Sequence, residues 1–405
     1  MTEIDNQEKG LLGISAALFL SIYNILSHHP VITDYTYISD FIFIFLSIII
    51  LVQRKTIYIY KPMLYFFIFV CFQSLLLAFF ERNYLTSRGV LIRLTLMFLF
   101  FYITFMFTKQ INRKYFSFFY YALCILSMVV MFVQGFYVYI LNIGVFPLIP
   151  FFDRASKDID MINIYRPTAF FFEPQHYASI LLPFLIICLY KKRLTLSLLI
   201  TLSILISTST QGIVICSVFW IIHIFEVKIK SIYKWLSLVA IILLVLFFLN
   251  SDFFTFSQNK ILNVNISDDI RVTRAWGVFY DMPLEHKFTG IGMGVVNDYI
   301  TITGNANKWL LGQNIIARTF LSSLGGNFVH FGIVGGLLYI YLILKAFIGT
   351  KNNNIGRKLV ILIFLSSFSQ LIVFNNWFVF YWLFLFSLYF DIHQNKHDFL
   401  VLKTF

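Results

Sequence analysis

Four stretches of this chain have residue types and spacings suited to chemistry. The first is Arg166-Pro-Thr-Ala-Phe-Phe-Phe-Glu173-Pro174-Gln-His176, which sets a cation, a carboxylate and an imidazole beside two prolines. The cation suits an anionic ligand, and the carboxylate or imidazole suits proton transfer with a hydroxyl. The second is Arg271-Val-Thr-Arg274-Ala-Trp276-Gly-Val-Phe-Tyr280. Arg271, Arg274 and Val278 are spaced by three and four, so a helix would carry both guanidinium groups on one face as a clamp for a diphosphate. Trp276 and Tyr280 fall on a neighbouring face, where they suit stacking on sugar rings or a place in a membrane headgroup belt. The third is Gly290-Ile-Gly292-Met-Gly294. Such spacing lets backbone approach a ligand, but it lacks the G-x-G-x-x-G pattern of nucleotide sites, and a tight turn also accounts for it. The fourth runs from Ser322 to Gly336, where small residues allow close helix approach around one imidazole, His330.

The first stretch admits two local readings. Pro174 suits the first turn of a helix, where its missing N–H is no loss. Glu173 then precedes that helix, where its carboxylate can meet free backbone N–H groups while pairing with Arg166. Alternatively, a carboxylate partly desolvated by Phe170, Phe171 and Phe172 is suited to general-base work. His176 is a second candidate in that stretch, with a structural or lipid-interface histidine as the plainer reading. A metal site is not expected. Cys71, Cys124, Cys188 and Cys216 all lie in apolar segments without a C-x-x-C pair, and no Cys/His cluster is present.

The elements that position these residues are set by composition. Hydrophobic residues make up 59% of the 405-residue chain and charged ones 12%, with a mean hydropathy of +0.82. That excludes an ordinary soluble globular protein and predicts an all-α polytopic membrane protein, a single integral domain over 1–405. About twelve spans are expected, at 11–27, 36–52, 63–80, 89–108, 115–140, 176–190, 194–208, 211–227, 232–250, 321–344, 359–374 and 377–390. The polar start, Met1 to Gly10, lacks the basic region and cleavage site of a signal peptide, so the first span is expected to remain as an anchor.

Alternate loops carry Arg54, Lys55 and Lys61; Lys109, Arg113 and Lys114; Lys191, Lys192 and Arg193; Lys228, Lys230 and Lys234; and Lys345, Lys351, Arg357 and Lys358. Only Glu226 opposes them. By the positive-inside rule these loops and both termini face the cytoplasm. The formal charge of +12 thus reflects topology rather than affinity for nucleic acid. Two long loops, about 141–175 and about 251–320, face outward. The outer cations are mostly arginine (Arg82, Arg88, Arg154, Arg166, Arg271, Arg274 and Arg318), which suits bidentate recognition of phosphate oxygens at the membrane surface.

Taken together, these residues resemble the superfamily of O-antigen polymerases (Wzy-type) and O-antigen ligases. The likeness lies in R-P-x-A-x-x-x-E-P from Arg166 to Pro174, in the arginine pair Arg271 and Arg274 followed by Pro283 and Gly290 to Gly294, and in the G-x-x-G from Gly332 to Gly335. It implies a GT-C-like membrane glycosyltransferase of the bacterial inner membrane, working without metal, nucleotide sugar or other cofactor. Its substrate would be an undecaprenyl-diphosphate-linked oligosaccharide on the outer face, with a flippase and a chain-length regulator as partners. The growing glycan would pass from its lipid diphosphate to the non-reducing sugar of another lipid-linked unit. By this likeness Arg166, Arg271 and Arg274 hold the diphosphate, His176, Trp276, Tyr280 and His330 line the substrate, and Glu173 orients or deprotonates the acceptor hydroxyl. Ligases of the superfamily tend to carry a histidine about three turns before the G-x-x-G. Here that region reads Thr319-Phe-Leu-Ser322-Ser323, which favours the polymerase. The alternatives are a ligase moving glycan to another acceptor, or a transporter or flippase for the same lipid-linked unit. Neither internal repeats nor mid-span charges favour the transporter.

Overall fold

The structure, a computed structural model, describes residues 11–26, 38–39, 41–42, 44–45, 56–80, 113–148, 165–227, 270–292, 299, 321–368, 376–390 and 396–403. In chain order its main elements are α1 (Leu11–Leu26), β1 (Thr56–Tyr60), α2 (Lys61–Phe80), α3 (Arg113–Tyr139), α4 (Pro174–Tyr190), α5 (Leu194–Ile206), α6 (Thr210–Glu226), α7 (Ile270–Asp281), α8 (Leu284–Thr289), α9 (Ser323–Gly349), α10 (Asn354–Ser366), α11 (Asn376–Leu388) and β2 (Phe399–Lys403). The described chain is mostly helical. Helices α3 and α9, each of 27 residues, are long and apolar enough to cross a membrane.

Helices stand where spans were expected at 11–27, 63–80, 115–140, 176–190, 194–208, 211–227, 321–344 and 377–390. The span expected at 359–374 begins earlier, as α10, because Asn353 caps that helix by accepting from Gly356 N (3.0 Å). The expected spans 89–108 and 232–250, and most of 36–52, lie outside the described residues.

The chain divides into two compact units: residues 1–116 with 266–405, and residues 117–265. The first contains an element that an all-helical expectation omits. Strand β1 pairs antiparallel with β2, Thr56 opposite Lys403 and Tyr60 opposite Phe399. Alternating Ile and Tyr in Thr56-Ile-Tyr-Ile-Tyr60 suit a strand. Tyr60 is fully buried against Phe386, Phe390 and Phe399. Beside the pair, Lys61 Nζ donates to the His397 carbonyl (2.8 Å) and Lys345 Nζ lies 3.6 Å from Asp398.

In the same unit α2 and α9 run antiparallel. Phe66 meets Tyr339 (ring centroids 5.7 Å), Gly335 faces Phe69, and Gln73 reaches the His330 carbonyl. The register descends steadily along α9 as it climbs α2. Gly335 has no side chain, and a Cβ there would come within 3.1 Å of the Phe69 ring, so the small residues serve close approach as expected.

In the second unit α4, α5 and α6 pack on one another and on α3. A Cβ on Gly212 of α6 would stand 2.5 Å from that of Ala178 on α4, and one on Gly135 of α3 would stand 2.6 Å from Ile206. Pro183 withdraws a backbone donor within α4. Nearby, the Ile180 carbonyl accepts from Tyr120 Oη of α3 (2.6 Å). Ser209 caps α6 by accepting from Gly212 N (3.2 Å).

Candidate functional site

In the second unit the segment 165–173 is a pinned loop. Its anchor is Gln134, near the end of α3 and 5% exposed. Gln134 Oε1 accepts from Thr168 N (3.1 Å) and Ala169 N (2.7 Å), while Nε2 donates to the Phe146 carbonyl (3.0 Å). Leu148 N donates to the Ala169 carbonyl (2.8 Å), tying together two segments of the first long loop. Ala169 is fully buried with φ 53°, a left-handed backbone that costs a non-glycine residue roughly 1–2 kcal/mol and that the surrounding bonds must hold in place.

That crossing aims Arg166 at the turn between α5 and α6. Its Nε donates to Thr208 Oγ1 (3.1 Å) and its Nη2 to the Thr208 carbonyl (3.0 Å). Both partners are neutral oxygens, so these two bonds fix the direction of the guanidinium without cancelling its charge. Thr208 is itself left-handed, φ 53°. Tyr139 Oη donates to the Ile206 carbonyl (3.0 Å) beside them. The polar run Ser207-Thr-Ser-Thr-Gln211 between two apolar helices was the sequence signal for this turn, and sequence reasoning passed over it.

Glu173 occupies the N-cap position of α4 with extended backbone (φ −126°, ψ 144°), and Pro174 opens the helix as expected. The carboxylate nevertheless makes no side-chain capping bond. It is exposed, and Phe171 is fully buried beneath the loop. Neither the cap nor the desolvation expected for Glu173 is present, because Phe171 packs inward while the acid is exposed. His176 is half-buried in the first turn of α4, its N–H bonded to the Glu173 carbonyl (3.0 Å).

The remaining expected site residues belong to the first unit. Residues 271–281 are helical as the spacing predicts, but the side chains of Arg271 and Arg274 lie outside the described residues. Trp276 is occupied in packing. It lies against Phe328 (centroids 5.3 Å), and Gly325 makes room for its indole, 3.5 Å from where a Cβ would stand. Tyr280 is 71% exposed, which leaves its ring face available for stacking.

His330 and the glycine triplet meet. Helix α9 breaks at Gly332 (φ 66°, ψ −171°), and α8 ends at Gly290 (φ 75°, ψ 175°). Both conformations belong essentially to glycine alone. The two backbones cross there. Ile291 N donates to the Val329 carbonyl (3.1 Å) and Gly292 N to the His330 carbonyl (2.9 Å). A Cβ on Gly290 would collide with the His330 carbonyl, and one on Gly332 with the Phe288 carbonyl. Gln73 of α2, 6% exposed, bridges the crossing with Nε2 on the Thr289 (2.7 Å) and His330 (3.0 Å) carbonyls. The first two glycines therefore serve a contact between backbones rather than a cradle for a ligand or a free-standing turn; Gly294 lies outside the described residues. Ala275, Val278, Met282, Ile291, Leu321 and Val329 form the apolar cluster beneath.

Among the described residues no three His, Cys, Asp or Glu side chains gather as a metal site requires. No protein-family model matches the chain, and no characterised protein matches it significantly.

Proposed function

We propose that this chain is a polytopic inner-membrane glycosyltransferase, a polysaccharide polymerase that moves a growing glycan from undecaprenyl diphosphate to the non-reducing end of a second lipid-linked repeat unit. Its membrane fold would have about twelve spans in a GT-C-like arrangement, with both termini cytoplasmic. The reaction would need no metal and no nucleotide sugar, and a flippase and a chain-length regulator would be its partners.

The observation that carries this reading is the held guanidinium of Arg166. It sits in the stretch that bears the family likeness, buttressed by Gln134 and directed by two bonds to Thr208. Preorganised cationic donors stabilise charge developing on a leaving diphosphate, and their geometry costs nothing at the moment of reaction. The sidedness read from charge agrees with the contacts inside each unit. In the first, Lys61 bonds the His397 carbonyl and Lys345 lies beside Asp398, all on segments read as cytoplasmic. In the second, the end of α3, the loop 165–173 and the turn at Thr208, all assigned to the outer side, meet. For Arg271, Arg274 and Glu173 the roles rest on the resemblance alone.

Purified full-length protein in lipid nanodiscs, given undecaprenyl-diphosphate-linked repeat unit as sole substrate with chelator present, should build polymer and release undecaprenyl diphosphate. A ligase needs a different acceptor and would leave the repeat unit unchanged. Arg166→Ala and Arg166→Lys should each lower the rate by about 100-fold or more, since lysine cannot reproduce the two-bonded guanidinium. Polymer of normal length made at normal rate by both variants would remove Arg166 from the site.

A further inference from the structure

Helix α5 is built inside out. Ser197 and Ser203 are fully buried, while Leu194, Leu198, Leu199 and Leu202 are between 39% and 58% exposed. An outward stripe of leucines is disfavoured in water in proportion to its area, so hydrocarbon is the solvent it suits. The stripe begins where the chain turns out of α4, and that turn reads Lys191-Lys192-Arg193.

The turn is firmly built. Arg193 N donates to the Cys188 carbonyl (2.9 Å) and Lys192 N to the Leu189 carbonyl (3.1 Å). These are the paired bonds of a helix end that ordinarily sets glycine at its left-handed position. Here that position is Lys192, φ 55°, so a charged side chain is kept where glycine would relieve strain. Lys191 Nζ stands 5.7 Å from the ring centroid of Tyr121 on α3. All three side chains are exposed, and among the described residues none of them has an acid or a carbonyl as partner. The acids among the described residues of this unit are Glu173, at the opposite end of α4, and Glu226, at the end of α6. The negative end of the α4 dipole attracts cations, but Lys191 and Arg193 already serve it. It gives no reason for a third at the strained position.

We propose that this turn and the leucine stripe together bind one anionic phospholipid of the leaflet that the turn faces, cytoplasmic by the charge rule. Its phosphate lies against Lys191, Lys192 and Arg193, and its acyl chains run along Leu194, Leu198 and Leu202. Those leucines are four apart, so they form one column leading from headgroup level toward the bilayer centre. Each unpaired cation near an anionic membrane surface strengthens binding by roughly fivefold. The column supplies the choice of lipid over free phosphate, which has nothing to lay on leucine. The site lies within one compact unit and stands independently of the glycosyltransferase reading.

The test is lipid binding to delipidated full-length protein, read by native mass spectrometry for the first lipid bound and by melting temperature. Phosphatidylglycerol should bind about tenfold or more tighter than phosphatidylcholine, with the preference fading in high salt, and glycerol phosphate should not compete. Lys192→Gly removes a cation while easing the backbone. Without lipid it should melt no lower than wild type, yet it should bind phosphatidylglycerol about fivefold more weakly. Lys191→Gln, Lys192→Gln and Arg193→Gln together should abolish the preference. Should that triple variant not fold, wild type answers through one equivalent of phosphatidylglycerol with a diazirine in its acyl chain, whose crosslinks should map to Leu194–Leu202. Equal affinity for the two lipids in wild type, undiminished preference in Lys192→Gly, competition by glycerol phosphate, or crosslinks confined to other helices each overturn the proposal.

Discussion

The loop that carries Arg166 and the crossing that carries His330 are held by opposite means. In the loop, polar side chains do the holding: Gln134 clamps three backbone groups, and Thr208 receives the guanidinium twice. At the crossing the essential parts are missing side chains. Gly290 and Gly332 let two backbones bond directly, and Gln73 reaches in from a neighbouring helix. A side-chain clamp fails gradually, because a substituted partner leaves unsatisfied groups that can shift. A backbone crossing fails at once, since an added Cβ meets carbonyl oxygen that has nowhere to go.

Three substitutions would break or sharpen that contrast. The largest effect is expected from Gly332→Val, which forces a β-branched residue into a glycine-only conformation against the Phe288 carbonyl. The loss should be about 3 kcal/mol or more, seen as absence of a monodisperse peak in detergent chromatography. A monodisperse variant melting within a few degrees of wild type would mean the crossing can open. Gln134→Leu should come next, at about 3 kcal/mol, because buried Thr168 and Ala169 N–H groups and the Phe146 carbonyl lose their partner. Its polymerising activity should fall further than its melting temperature explains, since Arg166 loses its support. Unaltered activity in folded Gln134→Leu would show that the loop does not need its clamp. The smallest effect, about 1 kcal/mol in thermal melting, is expected for Ser209→Ala, which removes the cap of α6 and loosens the turn that receives Arg166. No measurable change there would mean that the Arg166 bonds alone hold the turn.

Local signals carried most of what was legible in the sequence. Apolar runs placed α1, α3 and α4 to within a few residues, and Pro174 marked the start of α4. The helix at Arg271–Tyr280 followed from spacing. What escaped depends on partners distant in the chain. Thr56–Tyr60 is unremarkable until Phe399–Lys403 pairs with it. Gly290 reads as a turn residue until Gly332 stands opposite. For Glu173, sequence placed the backbone at the helix cap but not the side chain, whose direction depends on where Phe171 finds room. Thr208 was missed because hydroxyl residues between two apolar helices read as a plain connection, and their use becomes visible only once Arg166 is known to end there.

The pairing of Thr56–Tyr60 with Phe399–Lys403 also dictates an order of manufacture. The unit formed by residues 117–265 is one continuous stretch and leaves the ribosome whole. The other is interrupted by it, and its early strand must wait for Phe399–Lys403 before it can pair. A translating ribosome therefore finishes the unit that carries Arg166 first, and the later strand completes its pair in the unit that carries His330.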